Sequence, residues 1–266
     1  MINSPRTPFG SLAEVYERVA VPAMFIPEAL GLLEIVALQP GERVLDVACG
    51  TGIVARLAAP RLGITGHIVG LDLNEVMLAV ARAQPIPTGA PIEWRQGNAM
   101  SLPFPDATFD AVVCQNGLQF IPDRVLALQE MLRVLRPERR LALSVIARES
   151  ASQAVEATVA RFLGPDAAAS FREPFMLGNA EALAHLFDGI GFSSVEITRQ
   201  NITARCPTAD AFIAFTLSVR LASALEKLSP EQRAALLADA HTQLAPYLSN
   251  DGIVFPVEML VVVGRS

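Results

Sequence analysis

Basic residues are scarce, and so are the groups that hold metals. The chain has 21 Lys and Arg against 27 Asp and Glu, a formal net charge of -6, and only three histidines and three cysteines in 266 residues. A protein that grips nucleic acid by its phosphates needs a basic face. The densest basic cluster, Arg133, Arg136, Arg139 and Arg140, falls at the end of a predicted helix, so nucleic acid is not an expected partner. Cys49, Cys114 and Cys206 are odd in number and show no CxxC spacing. That argues against a disulfide framework or a zinc knuckle and for a reducing, cytoplasmic setting. No His/Asp/Glu cluster has metal-ligand spacing, and no metal is expected. Uncharged apolar runs of the roughly 18–20 residues that a spanning helix needs are also missing. Thr208–Val219 and Ile253–Gly264 are short or interrupted by Asp210, Pro256 and Glu258, so no membrane span is expected. Met1 to Gly10 has no apolar core, which predicts no secretory leader.

What is present is apolar. The chain is 52% hydrophobic and 18% charged, a balance that excludes disorder and supplies ample core. Ser11-Leu-Ala-Glu14 reads as a capping box, with Pro22 and Pro27 breaking the helix that follows. A second apolar helix runs from about Glu28 to Leu38. Short apolar runs then alternate with helical patterns. Predicted strands are 43–48, 67–72, 92–96, 109–114 and 141–146; predicted helices are 53–59, closed by Pro60, 74–83, and one from Asp123 stopped by Pro137. This alternation means crossover connections and a mostly parallel sheet, with strands covered on both faces. Beyond it come helical stretches at 151–169, 179–189 and 208–248, the last interrupted at Ser229-Pro230, and strands at 194–204 and 253–264. Pro256 favours the beginning of its strand or an edge. One domain is expected: a cap over 1–40, a core over 41–147, and a substrate lid with closing strands over 148–266.

An open parallel sheet places its ligand at the carboxyl ends of its strands, near the switch point. Four segments fall there. Asp46-Val-Ala-Cys-Gly50-Thr-Gly52 has glycines that let the backbone turn sharply and approach a ligand, and a following helix whose N–H groups suit an anionic group. It matches neither GxGxxG nor GxxxxGK[ST], which suits a ligand without pyrophosphate and weakens an oxidoreductase reading. Asp72 ends the second strand, where an acid can accept both hydroxyl protons of a ribose. Gly97-Asn98-Ala99-Met100 follows the third strand and Cys114-Gln115-Asn116-Gly117 the fourth.

Val44-Leu-Asp-Val-Ala-Cys-Gly-Thr-Gly52, Val69-Gly-Leu-Asp72, the run from Gly97 to Asp110, and Glu130-Met-Leu-Arg-Val-Leu-Arg-Pro137 occur in register. Together they resemble the class I S-adenosylmethionine-dependent methyltransferases, nearest the ubiquinone/menaquinone-type small-molecule group, over about residues 10–147. The resemblance implies a Rossmann-like open sheet, mostly parallel with one antiparallel strand, helices on both faces and helical lid elements. It implies S-adenosylmethionine as cofactor. Ala48, Gly50 and Gly52 would line its methionine part, Asp72 would bind the ribose, and Leu73 would pack on the adenine. Asn98 and Ala99 would contact the adenine edge, Gln115 would face the sulfonium, and Tyr16 would close over the amino-acid end. Two departures stand out: Asn98 where the family usually has Asp, and Pro137-Glu-Arg-Arg140 where it often has Pro-Gly-Gly, a change with an expected structural consequence only.

Other chemistry-bearing residues read more plainly. Cys49 and Cys114 read as small buried fillers. His67 reads as solvent-facing and His185, in Leu183-Ala-His-Leu-Phe187, as packed in an apolar helix. His241, near Tyr247, is placed to reach a substrate cavity. His241, His185 and Glu149 are the weak candidates for a catalytic base, with Arg148 and Glu149 read as solvated charges. The regions outside the sheet carry Met24, Phe25, Phe162, Phe171, Phe175, Met176, Phe212, Phe215 and Leu217. Core packing and a lid over an apolar acceptor explain them equally. The leading expectation is methyl transfer to a small apolar acceptor, natural-product or quinone-like. Non-methylating chemistry in the same pocket, such as cyclisation or rearrangement, and a non-catalytic binding protein stay open, as does a homodimer.

Overall fold

Short apolar runs punctuated by glycine and proline make the strands. The computed structural model describes residues 12–266. Its strands are β1 (Arg43–Val47), β2 (His67–Asp72), β3 (Ile92–Gln96), β4 (Phe109–Gln115), β5 (Leu135–Glu149), β6 (Ser194–Cys206), β7 (Leu248–Ser249) and β8 (Gly252–Arg265). They form one sheet in the order β3-β2-β1-β4-β5-β8-β6, with β7 paired antiparallel to β8. The pairs β1–β2, β1–β4, β2–β3 and β4–β5 are parallel. Helices α3 (Ile53–Leu62), α4 (Glu75–Ala83) and α5 (Arg124–Val134) are the crossovers. The remaining helices are α1 (Leu12–Val15), α2 (Ile26–Val36), α6 (Ser150–Leu163), α7 (Pro165–Arg172), α8 (Ala180–His185), α9 (Ala209–Leu225) and α10 (Pro230–Leu244). The architecture is the expected Rossmann-like, mostly parallel α/β sheet with helices around it.

The chain divides into two compact units. The sheet unit holds Glu28–Ala147, Phe175–Gln200 and Glu258–Ser266. Its core joins Val47, Leu71, Val112, Leu128, Leu143 and Leu260. The helical unit holds residues 12–27, Arg148–Pro174 and Asn201–Val257. There α6 packs on α7 and α10, and Phe212 meets Phe255 edge-on at 5.1 Å. One boundary between the units falls between Ala147 and Arg148. Two segments of the C-terminal region, Phe175–Gln200 and Glu258–Ser266, belong to the sheet unit.

Several helix ends obey their local chemistry. Asn74, Asp123 and Asn179 cap α4, α5 and α8 through their side chains, and Ser229 with Gln232 forms a capping box on α10. Prolines behaved differently from expectation. Pro22 does not break the first helix: it sits in a π-helical stretch, Tyr16–Phe25, that joins α1 to α2. There the Ile26 N–H reaches back five residues to the Val21 carbonyl, and a ladder re-registered in this way accommodates a residue without an N–H. The Ser11 part of the expected capping box lies outside the described residues. Pro60 lies inside α3, which ends instead at Gly63 with φ 64°. The stretch expected at 151–169 is two helices split at Gly164-Pro165. β8 lies between β5 and β6, so Pro256 is not on an edge strand, although it is near the strand's beginning. The continuous helix Leu12–Val36 is long and apolar enough, by length and composition, to cross a membrane. Just over half of its most apolar window is buried within the protein, and it carries Glu14, Glu17, Arg18, Glu28 and Glu34.

The basic cluster is not a helix end. α5 stops at Val134, and β5 starts at Leu135, because the Val134 carbonyl accepts from Thr108 N–H at 2.8 Å. β5 therefore begins before Pro137, with a register shift against β4 between Phe109 and Ala111. Arg140 is buried and grips Glu42 at 2.8 and 2.7 Å. Arg136 bonds Asp110 at 2.8 Å, and Arg139 lies 3.4 Å from the same acid. These cations neutralise acids of the sheet unit.

Candidate functional site

β1 is flanked by β2 and β4, and the chain reverses direction across the sheet between them, so the carboxyl end of β1 is the switch point. The loop that leaves it is wound tightly: Ala48, Gly50 and Gly52 have φ of 54°, 55° and 83°. Left-handed backbone at three of five positions turns the chain directly into α3. Gly52 is required twice over, since a Cβ there would lie 2.1 Å from the Trp94 indole. Gly117 is also obligatory, because its Cβ would fall 2.6 Å from that of Ala48.

Two acids stand under this loop. Asp46 is buried and accepts from Ala55 N–H at 3.1 Å in the first turn of α3. Burial pushes its pKa up to about 8, with the nearby Asp72 charge adding to the rise against the Ala55 bond. Asp72 accepts from Gly50 N–H with one oxygen and from Asn74 N–H with the other, each at 2.8 Å. Burial raises its pKa too, opposed by those two bonds. The cap of α4 is not Asp72 but Asn74, whose side chain accepts from Val76 N–H. Each Asp72 oxygen keeps a lone pair, as two adjacent ribose hydroxyls require. Next to it Leu73 is 67% exposed, an apolar side chain in water where an adenine would cover it. The Gln96 amide fixes the Leu73 carbonyl at 3.0 Å. Thr51, in the middle of the loop, is buried with its hydroxyl unbonded among the described residues. The residues present therefore fit an adenosyl ligand whose polar groups complete these bonds.

Gly97 N–H donates to the Asp72 carbonyl at 3.0 Å, which brings the third loop beside the second. Asn98 spends its side-chain oxygen on Met100 N–H at 2.9 Å, so its amide nitrogen is the group left to offer a ligand. Arg133 braces the chain that follows. It donates to the Phe104 and Leu102 carbonyls at 2.9 and 3.0 Å and pairs with Glu130 and Asp106. The Arg133 hydrogen bonds lower the Glu130 pKa.

After β4, the Gln115 amide donates to Glu28 at 3.1 Å, and Asn116 donates to the same carboxylate oxygen. Glu28 is buried on α2. Sequence reading missed it, since 87 residues separate it from Gln115; its one signal was an acid inside an apolar helix. Gln119 is also buried, with both ends of its amide unbonded among the described residues.

The other predicted residues lie elsewhere. Tyr16 belongs to the helical unit, where it stacks on Phe25 at 5.0 Å and tilts against Phe215 at 6.2 Å. Glu149 is not solvated: it is buried and caps α6, accepting from Ser152 N–H at 2.9 Å and its hydroxyl at 2.8 Å. His185 is not packed: its side chain is 68% exposed and pairs with Asp188 at 2.9 Å, which raises its pKa. An imidazole in the last turn of α8 finds an acid three residues on, at the polar end of the helix. His241 pairs with Asp210 at 2.8 Å, and Asp210 with Arg18 and Thr208 lines a cleft of about 210 Å³ in the helical unit. The cysteines are buried and inert, with Cys114 pushed up to about 12 by burial. Phe171, Phe212, Leu217 and Met24 are core, which decides for packing over a lid at those positions.

A profile described as a methyltransferase domain matches residues 44–138. The chain is 29% identical to nocamycin O-methyltransferase of Saccharothrix syringae, over 97% of this chain and 96% of that protein. It is 41% identical over 109 residues to 2-phytyl-1,4-naphtoquinone methyltransferase of Synechococcus elongatus, covering 40% of this chain and 47% of that protein. The chain thus matches about half the length of that quinone relative. The crystal structure of YcgJ from Bacillus subtilis superposes with TM-score 0.58 at 20% identity, over 90% of this chain and 98% of that one, and shows the shared fold. Fold, loop chemistry and these likenesses define a class I S-adenosylmethionine-dependent methyltransferase. Over about 109 residues the chain is similar to a quinone methyltransferase, and over nearly its whole length to the nocamycin enzyme.

Proposed function

We propose that the crevice at the carboxyl ends of β1 to β4 grips S-adenosylmethionine through Ala48, Gly50 and Gly52 along its methionine part, Asp72 at the ribose, Leu73 on the adenine, Asn98 and Ala99 at the adenine edge, and Gln115 near the sulfonium. When bound, the cofactor supplies a methyl group on a good leaving group, so no covalent enzyme intermediate is required. The chain's contribution is then position, holding acceptor and methyl in line. Glu28 keeps the Gln115 and Asn116 amides in place, and Asp72 keeps the glycine loop closed while receiving the ribose. A general base is needed only for an acceptor that must lose a proton. Of the three titratable candidates, Glu149 is spent on a helix cap, while His185 and His241 are each an accessible ring paired with an acid, Asp188 and Asp210. The acceptor we infer is a small apolar molecule of natural-product or quinone type, a reading supported by the activities for which the two relatives are named.

The observation that carries the cofactor assignment is the Asp72 carboxylate, bonded at once to the glycine loop and to the start of α4. Asp72→Ala should lose about 1–3 kcal/mol of S-adenosylmethionine binding by calorimetry, the scale for leaving polar partners unpaired. With a methylated quinol as product, S-adenosylhomocysteine should appear in equal amount. Unchanged affinity in the variant refutes the ribose assignment, and product without S-adenosylhomocysteine points to non-methylating chemistry.

A further inference from the structure

The turn after β3 is tied down by the chain's own bonds. Gly97 N–H donates to the Asp72 carbonyl at 3.0 Å, and a Cβ on Gly97 would lie 2.7 Å from the Leu71 side chain, so this turn stands against the end of β2. Asn98 then closes on the backbone two residues ahead. Its Oδ1 accepts from Met100 N–H at 2.9 Å, while its carbonyl accepts from Ser101 N–H at 3.0 Å. A main-chain N–H only donates, so the atom set against it is the amide oxygen and not the amide nitrogen. Turning the amide over would face donor against donor and leave Met100 N–H unpaired. Nδ2, with two hydrogens and no partner among the described residues, is therefore what the half-buried side chain offers outward. Asn98 presents a donor where a carboxylate would present an acceptor.

The edge of an adenine carries groups of both kinds. Its ring nitrogens accept, and its 6-amino group donates. A side chain that only donates bonds a ring nitrogen and gains nothing from the amino group. We propose that Asn98 is a specificity-determining residue whose Nδ2 leaves the base pocket indifferent to the substituent at C6. The chain then takes purine nucleoside thioethers with a 6-oxo group, or with hydrogen at C6, nearly as well as adenosyl ones. This rests on the reading of Asn98 as a contact at the adenine edge. An aspartate in the same place would keep the Met100 bond with one oxygen and turn the other to the amino group. Exchange of one nitrogen for one oxygen thus decides whether the amino group is recognised, since a site that bonds a ligand group rejects the analogue lacking it.

Calorimetry on the full chain at neutral pH tests this with S-adenosylhomocysteine, S-inosylhomocysteine and the analogue bearing hydrogen at C6. The ligands share ribose, sulfur and amino acid, so their affinity ratios isolate the base. The natural chain should hold all of them within about threefold, below the effect of a typical hydrogen bond. Asn98→Asp should prefer S-adenosylhomocysteine to either analogue by about tenfold, through one bond gained to the amino group and one repulsion from a 6-oxo group. Any general effect of the new charge moves every ligand together and leaves the ratios alone. A preference of about tenfold or more by the natural chain for S-adenosylhomocysteine overturns the proposal, because an acceptor then meets the amino group. That measurement decides even where the variant fails to fold. Equal ratios in the natural chain and in Asn98→Asp overturn Asn98 as the determinant. Failure of S-adenosylmethionine and all of these ligands to bind refutes the cofactor reading itself, and this inference with it.

Discussion

Asp46 is a carboxyl kept from water beneath a loop expected to meet a cation. Its pKa in the folded chain, about 8, stands far above the ordinary 3.8. Between those values the native state holds a proton that the unfolded state has lost, so stability falls as pH rises through that window. Asp46→Asn removes the titration yet keeps an oxygen for Ala55 N–H. The variant's advantage in Tm over the natural chain should therefore be small near pH 5 and largest near pH 8, as measured by thermal unfolding across that range. A constant difference would refute the assigned pKa. Asp72 was legible as a ribose acid from its place at a strand end, but its bond to Gly50 N–H was not. That bond spans 22 residues, and no local pattern encodes it. Glu28 was invisible for the same reason.

At the scale of elements, what could be read was what local chemistry decides. The alternation of short apolar runs with amphipathic ones gave β1 to β4 nearly to the residue, and the starts of α3 to α5. Asn74 and Asp123 announced their helices because capping is a matter of three or four neighbours, whereas Ser229-Pro230 was read as an interruption and opens α10. The misreadings came where tertiary bonds overrode a local rule. Pro22 and Pro60 were read as breaks and lie inside helices. Pro137 was read as the stop of α5, whereas bonds from Ala107 and Thr108 had already ended that helix. The resulting start of β5 carries Glu138 at φ 61°, a left-handed position without glycine. That is the structural consequence expected from the missing Pro-Gly-Gly. Glu138 is exposed, so Glu138→Gly should relieve the strain without loss of contacts. It should stabilise the chain by about 1 kcal/mol after the extra entropy of an unfolded glycine, seen as a raised urea midpoint with unchanged slope. A lowered midpoint would show that the turn is unstrained.

At the scale of the whole molecule, the four clustered arginines are paired with acids. Arg133, Arg136, Arg139 and Arg140 all have carboxylate partners in the sheet unit. The apparent basic cluster is thus consumed by the fold. The chain keeps its excess of acid, and part of that excess, Asp46 and Asp72, lies beside the glycine loop. Asp46 banks a hydrogen ion there in the resting protein. A positively charged guest settling above it makes that ion easier to surrender, so uptake near neutrality should discharge acid into the medium. Titration heats recorded in phosphate and in Tris, whose ionisation enthalpies differ widely, should then disagree by an amount proportional to the acid released; identical heats in the two media would mean that Asp46 keeps its hydrogen throughout.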